Sequence, residues 1–131
     1  MEIQTKVLPL GETGGLYSII SKEITDDGGV FHIRLNPECI IYKAHFPEQP
    51  ITPGVCITQI AVELAEIVVG HSLHMIGIKN VKFLSIMTPD SLTEVTYSIT
   101  IKSSDDKETR IQAVAQSDDV VYAKMSLICK R

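Results

Sequence analysis

The sequence has no tryptophan, only 5% aromatic residues, and no cluster of lysine or arginine. Its formal net charge at neutral pH is −4. Without a basic stripe or interleaved aromatics, nucleic acid is excluded as a main partner. Cysteine is scarce: Cys39, Cys56 and Cys129 are an odd number and show no Cys-x-x-Cys spacing. That excludes a disulfide framework and a zinc site, and leaves three reduced, buried small residues as the expectation. Long hydrophobic runs are missing as well. The most apolar stretch, residues 55–70, is interrupted by Gln59, Glu63 and Glu66, so no membrane span is expected. Met1-Glu2-Ile3-Gln4 does not open a basic segment followed by an apolar run. No secretion signal is expected there, and the expected location is cytoplasmic.

What is present suits one globular domain over residues 1–131, with 44% hydrophobic and 21% charged residues. A loop-like lead-in ends in Gly11-Glu12-Thr13-Gly14-Gly15, and residues 16–25 then read as a strand. Asp26-Asp27-Gly28-Gly29 signals a turn. In residues 30–35, Phe31, Ile33 and Leu35 alternate with His32 and Arg34, which completes a hairpin. Pro37, Pro47, Pro50 and Pro53 predict a stiff, irregular loop. It ends at Thr52, the expected N-cap, and Pro53, which suits the first helical position. The helix should run to about Val69 and stop at Gly70. It is apolar on most faces, which places it in a core or an interface. Residues 75–87, 95–101, 110–116 and 120–129 read as strands separated by turns. One helix cannot cover both faces of a sheet. The expected class is therefore α+β, a curved antiparallel sheet wrapped around one long central helix. Exposed edges and the apolar helix together predict a dimer.

The segment His45-Phe46-Pro47-Glu48-Gln49-Pro50-Ile51-Thr52-Pro53-Gly54-Val55 puts a histidine on a rigid loop just before a buried helix. Helix N–H groups near Gly54 and Val55 favour developing negative charge. A base beside such an oxyanion site suits proton abstraction next to a carbonyl. The plain alternative is a structural histidine. The segment resembles the signature of the β-hydroxyacyl-acyl-carrier-protein dehydratases of the hot-dog fold, His-Phe-Pro-Gly-x-Pro-x-x-Pro-Gly-Val. Here His45, Phe46, Pro47, Pro50, Pro53, Gly54 and Val55 match in register. Residues 82–90 resemble that family's second conserved strand and turn.

The resemblance implies a hot-dog fold, assembled as a homodimer or a trimer of dimers. It implies a dehydratase or hydratase of (3R)-hydroxyacyl thioesters in fatty acid, lipid or polyene biosynthesis. The substrate would be carried on phosphopantetheine, as an acyl carrier protein or CoA thioester, with no metal or redox cofactor. His45 takes the role of base on C2, and Gly54 polarises the thioester carbonyl. Phe46, Pro53 and Val55 contact substrate. The family's carboxylate on the partner's helix stands fourteen residues after the histidine, where this chain has Gln59. An amide has no acidic proton. Glu63 lies one turn on, about 6 Å along the helix axis. Two readings follow: Glu63 supplies the carboxylate, directly or through a water, or Glu63 is structural and Gln59 marks lost dehydratase activity. Glu48 stands where the family has glycine, either reshaping the loop beside His45 or as a solvated charge. Tyr42 and Lys43, close to His45, either pack the loop, the expected role, or contact substrate. His32 and His71 are expected at the surface or at strand ends, and His74 at a strand start. Lys79 and Lys82 could meet a phosphate or an acidic carrier. A thioesterase, and a silent acyl-thioester binder or heterodimer partner, are the alternative functions.

Overall fold

The structure is a computed structural model that describes residues 15–44, 48, 50–89 and 94–131. Strands β1 (Tyr17–Thr25) and β2 (Gly28–Leu35) form the expected hairpin. After a short helix α1 (Ile40–Ala44) comes the long helix α2 (Gly54–Val69). Strands β3 (His74–Phe83), β4 (Glu94–Ser104), β5 (Thr109–Ser117) and β6 (Val120–Lys130) follow. All six strands join one antiparallel sheet in the order β1-β2-β4-β5-β6-β3. β3 pairs with the last strand, β6, and so forms the edge opposite β1.

The pleat sorts side chains onto two faces. Phe31, Ile33 and Leu35 of β2 are buried while His32 and Arg34 are exposed. The register then carries burial across the sheet: Phe31 lies opposite Tyr97, Tyr97 opposite Ala115, and Ala115 opposite Ala123. Ala113, Ala115 and Ala123 put small side chains on that buried face. Ile60, Ala61, Val62, Leu64 and Ala65 of α2 join the same core cluster. The helix therefore lies on one face of the sheet, as the sequence pattern implies. All three cysteines are buried free thiols.

Three local expectations are corrected. Thr52 is not the N-cap. Pro53 is, with φ −62° and ψ 146° and no side-chain cap bond, and the helix begins at Gly54. The Pro53 carbonyl accepts from the N–H groups of Cys56 (2.9 Å) and Ile57 (3.1 Å). The Thr52 hydroxyl is engaged elsewhere, 2.7 Å from the buried Tyr42 hydroxyl. The proline-rich loop is not irregular throughout, because it holds α1. The stretch between Pro37 and Pro47 has no proline. Asn36 Oδ1 accepts the Glu38 N–H (3.0 Å), and Cys39 and Tyr42 bury one face. The strand expected over residues 75–87 ends at Phe83. Leu84 then gives its N–H to the Tyr122 carbonyl (2.8 Å), and Thr52 gives its N–H to Met87 (2.8 Å). The apolar stretch thus leaves the sheet and ties to the approach to α2. At the other end of α2, Gly70 adopts φ 82° and its N–H reaches Glu66 O at 2.8 Å, the expected stop.

Candidate functional site

The start of α2 is built around a missing side chain. A Cβ on residue 54 would lie 2.8 Å from Cζ of Phe83, so glycine lets that ring lie against the first turn. Among the described residues no acceptor meets the N–H of Gly54 or of Val55, as the first turn of a helix requires. Those two groups, with the helix dipole behind them, form a site where negative charge on an oxygen is stabilised. Val55 is 64% exposed, and Phe83, Leu84 and Ile86 add further exposed apolar surface. Pro53 and Gly54 are half-buried.

One face of α2 carries a polar strip. Gln59 and Glu63 are half-buried between fully buried neighbours. Gln59 Nε2 donates to Glu63 Oε2 at 3.2 Å. The other carboxylate oxygen, Oε1, accepts from the Tyr17 hydroxyl at 2.8 Å. Tyr17 is 4% exposed. Its burial, and then the charge of Glu63, push phenol ionisation far above the ordinary range, so it stays a donor. Cys56, on nearly the same stripe, is pushed up to about 11 by burial, then by the proximity of Cys39 and of Glu63.

The approach to α2 is pinned from both sides. Tyr42 of α1 meets Thr52, and Thr52 is held to Met87. Tyr97 of β4 donates to the Ile57 carbonyl at 3.0 Å, fixing the first turns of α2 over the sheet. Tyr42 is core, as loop packing implies. Glu48, Lys43, Lys79 and Lys82 are exposed. His32 is exposed and bonds Thr96 (3.0 Å), His71 sits at a loop after α2, and His74 opens β3. His45 and Phe46 lie outside the described residues. The structure therefore brings together Gly54, Val55 and Phe83 at one end of α2, and Gln59, Glu63 and Tyr17 along its polar strip. Tyr17 was not singled out from the sequence. Its contact with Glu63 spans 46 residues, and no local pattern announces it. Among the described residues no His, Cys, Asp and Glu groups converge as metal ligands, and no helix is long and apolar enough to cross a membrane.

A family model for ApeI-like proteins, described as ApeI dehydratase, matches residues 21–125. The chain belongs to the ApeI-like dehydratase family. His45, Gly54, Gln59 and Glu63 all fall within the matched span, and Tyr17 precedes it. A curated relative of this chain, the 3-hydroxyacyl-acyl-carrier-protein dehydratase FabZ of Solibacter usitatus (strain Ellin6076), is 25% identical over 97 residues. That match takes in 68% of this chain and 59% of the relative, so the chain spans less than two thirds of that protein's length. Among solved structures, the dehydratase heterocomplex ApeI:P from Xenorhabdus doucetiae superposes with TM-score 0.73 at 18% identity, over 86% of this chain and 96% of that one. A hypothetical thioesterase from Streptococcus pneumoniae TIGR4, solved with coenzyme A, gives TM-score 0.67 at 9% identity, over 95% and 94%. At these identities the structures speak for the fold alone, and the fold of this member of the ApeI-like family is the hot-dog fold expected from its sequence.

Proposed function

We propose that the chain is a hydro-lyase interconverting (3R)-hydroxyacyl and trans-2-enoyl thioesters, delivered on an acyl carrier protein or CoA in fatty acid or related lipid biosynthesis. The observation that carries this reading is the pair of N–H groups at Gly54 and Val55 that no acceptor among the described residues meets, directly after the dehydratase-like loop from His45. His45 removes the C2 proton. The electron pair moves towards the thioester carbonyl, whose oxygen accepts from the Gly54 N–H. Collapse of that enolate forms the C2–C3 double bond and breaks the C3–O bond; the departing hydroxyl takes back the proton that His45 removed from C2, leaves as water, and restores the neutral imidazole. Gln59 and Glu63 face the departing hydroxyl, from the helix of a second hot-dog copy. Phe46, Pro53 and Val55 line the approach of the acyl chain. Proton transfers and an oxyanion site suffice for the step, so no metal or redox cofactor is proposed. The protein works in the cytosol as one hot-dog domain per protomer.

The test is an absorbance assay with 3-hydroxyacyl and trans-2-enoyl thioesters. The parent should interconvert them without releasing thiol, and His45→Ala should lose at least about 100-fold of the rate. Equal turnover by His45→Ala would overturn the assignment, and thiol release would make the chain a thioesterase. One observation favours a second reading, as the silent subunit of a heterodimer: an amide stands where the family carries its acid. Turnover that appears only on mixing with a second hot-dog chain, and survives His45→Ala here, would establish it.

A further inference from the structure

The polar strip of α2 has a feature that catalysis of dehydration does not by itself require. The two ends of a glutamine amide are nearly equal in size and opposite in hydrogen bonding. Which end faces a ligand therefore depends on what holds the other. Glu63, as a carboxylate, only accepts, so the nitrogen end of Gln59 turns towards it, at 3.2 Å. Glu63 is held in turn: its other oxygen takes the Tyr17 hydroxyl at 2.8 Å. Tyr17 sits in β1, its backbone paired with Leu35 of β2, and its side chain is buried. The result is a chain of three groups, donor to acceptor to donor, anchored in the sheet and ending at Gln59 Oε1.

Resting on the dehydratase reading and deepening it, we infer that Tyr17 is a positioning residue for substrate selection. Through Glu63 it fixes the Gln59 amide so that the acceptor Oε1 faces the 3-substituent of a bound acyl thioester. A 3-hydroxyl has a proton to give that oxygen. A 3-oxo group has none, and two acceptors left facing each other are unpaired. The site thereby selects the 3-hydroxyacyl thioester over its 3-oxo counterpart. Tyr17 precedes the span matched by the family model.

The experiment measures binding in a His45→Ala background, where hydroxyacyl and enoyl forms do not interconvert. Dissociation constants are compared for (3R)-hydroxybutyryl-CoA and acetoacetyl-CoA, and for the longer 3-hydroxydecanoyl and 3-oxodecanoyl pair. The parent should favour the hydroxyl form by about tenfold or more. Tyr17→Phe and Glu63→Gln should each bring the ratio to within about threefold of unity, because a freed or amide-paired Gln59 can present either end. A merely structural role would weaken both ligands alike and leave the ratio alone. Should Tyr17→Phe not fold, Glu63→Gln, which keeps the side-chain size, carries the test. A parent ratio near unity, or a ratio unchanged in folded variants, overturns the inference while leaving the dehydratase reading standing. A parent that binds none of the four thioesters overturns that reading, and this inference with it.

Discussion

The difference between Gln59 and a carboxylate at the same position is one transferable proton, and it redistributes the work of neighbouring groups. Glu63 is close enough to serve the same region, yet both of its oxygens already accept hydrogen bonds, from Tyr17 and Gln59. A group placed in that way orients its neighbours. The thiols show the same dependence on surroundings. Burial pushes Cys129 up to about 12 and Cys56 up to about 11, from an ordinary 9.0. A thiol raised in the folded state binds its proton more tightly there than in the unfolded chain. Its stabilising effect is complete below the ordinary value and is lost as pH rises through the folded one. Tyr42 adds to this at higher pH, pushed up to about 12 from 10.0 by burial. The expected outcome is stability that declines between pH 9 and 12, read as denaturation midpoints across that range. At neutral pH the native protein should not react with a thiol reagent, and unfolding should release all three cysteines. Rapid labelling of the native protein would contradict this placement.

At the scale of elements, the part of the chain leading into α2 is organised by one buried hydroxyl pair. Tyr42 comes from α1 and Thr52 from the residues just before α2, and they meet at 2.7 Å. Removing one hydroxyl leaves the other buried without a partner, whereas removing both does not. Tyr42→Phe and Thr52→Val should each cost about 1–3 kcal/mol, and the double variant clearly less than their sum. Denaturant titrations of the four proteins measure this. Additive costs would mean that the two hydroxyls do not depend on one another. The C-terminal end of α2 rests on backbone conformation instead. Gly70 sits at φ 82°, and a side chain added there meets nothing within 4 Å, so Gly70→Ala tests backbone preference alone. The expected cost is about 1–2 kcal/mol, read by thermal melting.

For the whole molecule, the edge strand β3 decides what happens beyond one chain. Among the described residues no strand pairs with its outer side, the position of a sheet edge that can take another chain. Ile76 and Ile78 on it are 54% and 55% exposed, and Phe83, Leu84 and Ile86 continue the apolar surface towards the start of α2. An edge of that composition aggregates unless it is covered. A second chain laid along β3 would cover it. Sedimentation should therefore show a dimer as the smallest stable species. Ile78→Lys should weaken its association by at least about tenfold. It should lower turnover in proportion to the monomer formed. A fully active monomer would place the whole site within one chain.

How much of this was legible beforehand depends on the distance over which each feature is specified. Alternation in residues 30–35, the stop at Gly70 and the turn at Asp26-Asp27-Gly28-Gly29 are local, because pleat, backbone conformation and turn chemistry act over a few residues. The layering of one antiparallel sheet over one helix followed from having one helix to cover one sheet face, whereas the pairing of β3 with β6 did not. The dehydratase-like motif was legible because it is written in consecutive residues, of which residues 45–47 and 49 lie outside the described residues. The partner of the Thr52 hydroxyl, the helical turn within the proline-rich loop and the early end of β3 were not legible. Each is set by a hydrogen bond or a packing contact made after the chain has folded back on itself. Tyr17 is the clearest case. The sequence by itself determined that a tyrosine would occupy an early strand and that Gln59 and Glu63 would share a helical face. Only the tertiary structure decided that the tyrosine's hydroxyl meets Glu63, because that depends on how β1 and α2 come together across 46 residues of chain.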